Sequence, residues 1–290
     1  MKMKRLIAVT VAVLIGSAGI GSVPQQPAQA SGTVFKRLWS EEFNSKVPTK
    51  PNGRNWDYDL TNGYGWGNGE EQYYTDSGRN IRVMGGNLNI TALRLSDMDP
   101  ILDSCFACTY TSARIKTAGK LGFRYGRMVA RIKLAEGEGT WPAFWMLGND
   151  LLNGGTWPDA GEIDIVETRG SSPYVVHGTV HGPNYSGGNG IGSTFYALEP
   201  LSAKYHLYSI DWTPNKIVWS FDNKPYFTLT PSGVRGNRWV FNQEYFLILN
   251  LAMGGTFGGD TNPAVKSARM SVDWIRYYSI NGLGRVYVKK

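Results

Sequence analysis

Between Trp157 and Thr168 the chain reads Trp-Pro-Asp-Ala-Gly-Glu-Ile-Asp-Ile-Val-Glu-Thr, and no other stretch restricts the possible folds as much. Acidic and aliphatic side chains alternate from Glu162 to Ile165, which predicts a β-strand with one acidic and one apolar face. Such a strand belongs to a sheet covered on one side only. Like charges on one strand face repel each other, so a fold keeps them there only where something is gained. A solvated acidic face is the plain alternative, but these acids are packed among residue types that are usually buried. Glu167 stands at an odd offset from Glu162, and a regular strand would turn it into the core, unpaired, at a cost of several kcal/mol or with its pKa driven up. One extra residue, a β-bulge at Ile165-Val166, would return it to the acidic face.

Two carboxyls with a third between them suit the cleavage of a glycosidic bond. That reaction takes one carboxylate as nucleophile and one carboxylic acid to protonate the leaving oxygen, roughly 5–5.5 Å apart when configuration is retained. Same-face residues four apart on a strand have Cα atoms about 13 Å apart. The two Glu side chains must therefore lean together over Asp164, which can hydrogen-bond Glu162 and help to keep the two Glu pKa values apart.

Glu162-Ile163-Asp164-Ile165-Val166-Glu167 resembles the active-site signature of glycoside hydrolase family 16 in its bulged form. Trp157-Pro158-x-x-Gly161 and Gly178-Thr179-Val180-His181-Gly182-Pro183 resemble the laminarinase branch, the endo-1,3-β-glucanases. The likeness runs from about Leu38 to Tyr278, with Trp39-Ser40-Glu41-Glu42-Phe43 matching the family's opening and Trp141-Pro142-Ala143-Phe144-Trp145-Met146 the strand before the acidic one. It implies that Glu162 is the nucleophile, Asp164 its assistant and Glu167 the acid/base. By the same resemblance Arg131 reaches the carbohydrate, His181 serves substrate or Asp164, and Asn68 and Trp157 belong to the sugar-binding set. Trp141 and Trp145 share a strand face and are placed on the cleft side, where they would stack sugar rings. The chain departs from the branch at Gly69, where a second Asn is usual, and at Glu71, where an apolar residue is usual. The family often carries a structural calcium, whose ligand positions match Glu42 and Gly86 through backbone oxygen and the Asp273 carboxylate; oxygen ligands from three distant segments suit that ion.

The predicted fold is all-β: a two-sheet antiparallel β-sandwich of the jelly-roll, concanavalin-like kind, with a concave cleft open to a chain polymer. The 36 Gly and 13% aromatics, with little helical periodicity, agree with it. Residues 1–30 read as a secretory signal peptide: Lys2, Lys4 and Arg5, an apolar run from Leu6 to Ile15, and a small-residue site at Ala28-Gln29-Ala30. Residues 31–290 are then one catalytic domain, a monomer outside the cell with no membrane attachment. The formal charge is +7, and three of those cations lie in the leader, so nucleic acid is a poor partner. Cys105 and Cys108, the only cysteines, predict a short local disulfide in an exposed loop of an exported chain. His177 and His181 are too far apart on one strand to share a metal. Asn62 to Thr75 mixes glycines, aromatics and amides as a sugar site would, or as an aromatic-rich turn would. Phe246 to Gly255 is an unbroken apolar strand, hence central.

The expected reaction is hydrolysis of internal β-1,3-glucosidic bonds with retention and without a catalytic cofactor. Mixed-linkage β-glucan or a galactan is the rival within the enzyme class, and transglycosylation stays open. The rival of another class is a β-glucan-binding protein on the same scaffold. Such proteins usually lose a catalytic Glu, and this chain keeps both.

Overall fold

Tyr245–Met253 is buried at all nine positions, as an unbroken apolar run requires of a strand covered on both faces. It pairs along its whole length with Thr140–Gly148, which pairs in turn with Glu162–Glu167. This is a computed structural model, and it describes residues 32–96, 99–105 and 107–289. The leader expected over residues 1–30 lies outside the described residues.

The acidic strand belongs to a nine-stranded sheet. Seven of its strands lie side by side in the order Ile191–Tyr196, Val175–His181, Glu162–Glu167, Thr140–Gly148, Tyr245–Met253, Arg114–Lys116 and Asp57–Asp59. Against it packs a ten-stranded sheet whose centre is Gly126–Lys133 between His206–Thr213 and Ser267–Ile280. Alternation decides which side of each strand enters the core. Phe144, Met146, Ile163, Ile165, Val176 and Val180 are all at most 1% exposed, and they face Ile210, Trp212 and Trp219 of the other sheet. Each such side chain contributes roughly 1.5–3 kcal/mol on burial. A register slip by one residue would forfeit all of that at once.

The predicted sandwich is therefore present, with one departure from antiparallel pairing: Gln72–Tyr74 runs parallel to Tyr110–Ser112. The hairpin read at Asn80–Ala92 forms between Ile81–Met84 and Asn87–Arg94, and Gly85 and Gly86 turn it at φ of +64° and +77°. Cys105 and Cys108 are joined, but both are buried rather than exposed. The edge strand Ile191–Tyr196 and the pair Leu121–Arg124 with Arg285–Val288 have no clear alternation in sequence and emerge only from pairing.

Candidate active site

The register of the acidic strand settles where its carboxylates point. Asp164 lies opposite Thr179 and Glu167 opposite His177, so two residues, Ile165 and Val166, face the single Gly178. On the other side Val166 pairs with Phe144 and Asp164 with Trp145, which leaves Ile165 as the inserted residue. The bulge predicted at Ile165-Val166 is there. Both of its residues are buried, and Glu162, Asp164 and Glu167 share the face turned away from the core.

A bulge interrupts the ladder, and the carbonyl it frees needs a donor. Trp219, from the opposite sheet, donates its Nε1 to the Asp164 carbonyl at 2.8 Å. The indole reaches that point because residue 178 is glycine: a Cβ there would lie 2.6 Å from the Trp219 ring.

Around the acids the expected side chains converge. Trp157 donates to Glu162 at 2.7 Å and Trp141 to Glu167 at 2.8 Å. His181 Nε2 stands 3.3 Å from Asp164 Oδ2, and polar atoms of Glu162, Asp164 and His181 all lie within 4.8 Å of one another. Trp145 is on the same face and donates to Asn250 at 2.7 Å. Burial pushes the Glu162 carboxyl up to about 8, helped by the charge of Asp164 and opposed by His181 and the Trp157 hydrogen bond. Burial likewise pushes Glu167 up to about 7, while the Trp141 hydrogen bond pulls it down. Asp164, only 2% exposed, is held well above the usual carboxylate range by burial and by the charge of Glu167. Near pH 7 the three acids therefore hold protons among them. Burial also lowers His177 to about 4, with Arg169 acting in the same direction, so its ring beside Glu167 is neutral.

Two expectations need correction or qualification. Arg131 is not at this face. It lies on Gly126–Lys133 of the ten-stranded sheet between the core residues Ala130 and Ile132, and so points out of the far side of the sandwich. There it is bonded to Asp273 at 2.5 Å and stacked on Tyr205. The open face carries several cations, Lys116 among them, and the one stacked on its tryptophans is Arg114. It forms an ion pair with Asp59 at 2.8 Å, and its guanidinium lies over both Trp66 and Trp145, 4.6 and 4.9 Å from the ring centroids. Cross-strand pairing puts Asp59, Arg114, Asn250, Ala143, Glu167 and His177 in one row. Arg114 stands in a short strand whose pattern is no more telling than that of Arg131. Its neighbour in sequence gives no signal, and only the row does. Asn68 sits at one remove: its amide donates to buried Glu70 at 3.1 Å, and Glu70 is tied through Tyr74 to Asn250 and so to Trp145. Glu71, unusual in sequence, accepts from Thr109 and Thr261 and fastens that segment to two distant loops.

The segment before Asn68 has an uncommon backbone. From Gly63 to Gly67 every residue has φ between +52° and +79°, including Tyr64 and Trp66. For a residue with a Cβ this left-handed conformation costs about 1–2 kcal/mol.

A sequence model of glycosyl hydrolases family 16 matches residues 68–276, a span that holds all three acids. The chain belongs to that family. This family 16 chain is 38% identical over 288 residues to a beta-glucanase of Rhodothermus marinus, covering 96% of this chain and 95% of that one. It is 37% identical to a glucan endo-1,3-beta-glucosidase of Cryptopygus antarcticus, over 76% of this chain and 81% of that one. Its structure superposes on the laminarinase catalytic domain of Thermotoga maritima with a TM-score of 0.77 at 38% identity, covering 84% and 98% of the two chains.

The calcium positions expected by family resemblance lie on the other sheet. The Gly86 N–H donates to Ser45, just after Glu42, and Asp273 stands in a bulge beside Val272, which pairs with Leu88. The three segments are therefore neighbours on that sheet. The Glu42 carboxylate is taken by Arg276 at 2.8 and 3.0 Å. The Asp273 carboxylate is shared with Arg131.

Proposed function

We propose that the chain is a retaining endo-β-1,3-glucanase acting on laminarin-type chains through a glycosyl-Glu162 intermediate. The observation that carries this is the bulge, which gathers nucleophile, assistant and proton donor on one open face. Glu167 would protonate the departing glucosyl oxygen and then take a proton from the incoming water. A proton shared between Glu162 and Asp164 leaves Glu162 as the anion when it resides on Asp164, and Trp157 favours that anion by donating to it. Trp145, Arg114 and Trp66 would hold the sugar rings on one side of the cut.

Retention of all three acids argues for an enzyme over a binding protein, although a beta-1,3-glucan-binding protein of Penaeus monodon is 34% identical over 51% of this chain. Product analysis on laminarin, lichenan, curdlan and agarose, with Glu162→Gln as control, tests the reading. Internal cleavage of laminarin supports it, and no reducing sugar from any of the four would sink it. NMR of the first product would show the β-anomer.

Export is part of the same proposal, supported by the leader-like residues 1–30 and by the closed Cys105–Cys108 disulfide. Culture fractionation of the natural host would find the protein in the medium, and recovery from the cytosol alone would refute it. The monomeric state is proposed as well, with a single-chain mass by light scattering as its check. A calcium ion held by Glu42, Gly86 and Asp273 would act on stability alone, since its segments belong to the far sheet.

A further inference from the structure

The left-handed run Gly63–Gly67 contains two aromatic residues, and only one is explained by packing. The Trp66 ring folds back over Gly63, where a Cβ would lie 2.7 Å from it, and carries the Arg114 guanidinium on its face. Tyr64 has no such role. It is fully exposed, and among the described residues it has no hydrogen-bond partner, ring partner or cation over it. Exposure alone would be ordinary for one side chain, but a large aromatic held on disfavoured backbone and packed against nothing points to a contact made with something outside the chain.

Its position suggests what that is. The run stands beside the Trp66–Arg114–Trp145 tier, and Arg114 is three strand spacings, about 14 Å, from Glu167 in the row. The loop is also held from below. Asn62 accepts from the Gly65 N–H at 3.0 Å and donates to the Glu70 and Gln72 carbonyls, while the Asn68 carbonyl accepts from Thr256. Tyr64 is thus presented on a fixed mount, and little ordering would be lost on binding.

We propose that Tyr64 is a sugar-stacking residue at the outer end of this arm, and that it makes the enzyme favour long β-glucan chains over short oligosaccharides. A phenol ring offers an apolar face to the C–H face of a pyranose and a hydroxyl to its rim. The inference rests on the glucanase reading above.

The test measures kcat/KM on laminari-oligosaccharides of increasing length and on laminarin, using the full chain and Tyr64→Ala, Tyr64→Gly and Tyr64→Trp. In Tyr64→Ala the ratio of kcat/KM between the longest and shortest substrates falls about three- to tenfold, chiefly through KM. Tyr64→Trp restores it. Tyr64→Gly shows the same fall with an unchanged or higher Tm, because glycine accepts the left-handed backbone without strain. That separates a lost contact from a damaged fold. A chain-length profile in Tyr64→Ala and Tyr64→Gly equal to the parent's overturns this inference alone. A parent inert on every β-glucan overturns the glucanase reading and this inference with it.

Discussion

Burial sets the protonation balance of Glu167, and among its neighbours the Trp141 hydrogen bond weighs most. Glu167 must hold a proton when the glycosidic bond breaks, and burial holds its carboxyl at about 7, so activity is lost as pH rises through that region. The Trp141 hydrogen bond favours the anion and pulls this value down. Trp141→Phe keeps a ring but removes the donor, so the alkaline limb of the kcat/KM profile should move to higher pH; an unmoved limb would separate Glu167 from that titration. The two arginines make a second contrast at this scale. Arg114→Ala removes a guanidinium stacked on Trp66 and Trp145 and should lower kcat/KM on laminarin by about tenfold or more. Arg131→Ala, on the far side of the sandwich, should leave it within about twofold. Equal losses in steady-state assays would show that the row is not the binding face.

Among the elements, the bulged strand governs the chemistry, and the opposite sheet secures it. The Trp219 hydrogen bond to the Asp164 carbonyl takes up an acceptor that the bulge withdraws from the ladder. Trp219→Phe keeps most of the packing and leaves that carbonyl unpaired. It should lose about 1–3 kcal/mol in urea unfolding and lower kcat more than KM, because Glu167 is aimed by the same bulge. A variant matching the parent in both would mean the bulge needs no such support. Gly178 belongs to this device, since no larger residue leaves the indole its path. The bulge was legible in sequence because the odd offset of Glu167 conflicts with a period of two. Its support was not, because Trp219 is 55 residues from Asp164 and lies on an ordinary alternating strand.

At the scale of the molecule, the two faces of the sandwich divide the labour. The acids and their aromatic wall occupy the open side of one sheet, and the expected calcium positions lie on the other. Calcium should therefore raise Tm by several degrees over an EDTA-treated sample without altering the pH profile, and Asp273→Ala should abolish the difference. Equal melting curves with and without the ion would remove the proposal. Short-range order in the chain determined a great deal here: the strand period, the bulge, the central apolar strand, the Gly85-Gly86 turn, and the three acids as one group. These follow from side-chain direction along a single strand, which neighbours in sequence fix. The tertiary structure alone decided which of these two arginines stands on the open face. Arg114 and Arg131 look alike along the chain, and assigning them to opposite sides of the protein takes hydrogen bonding between strands far apart in sequence.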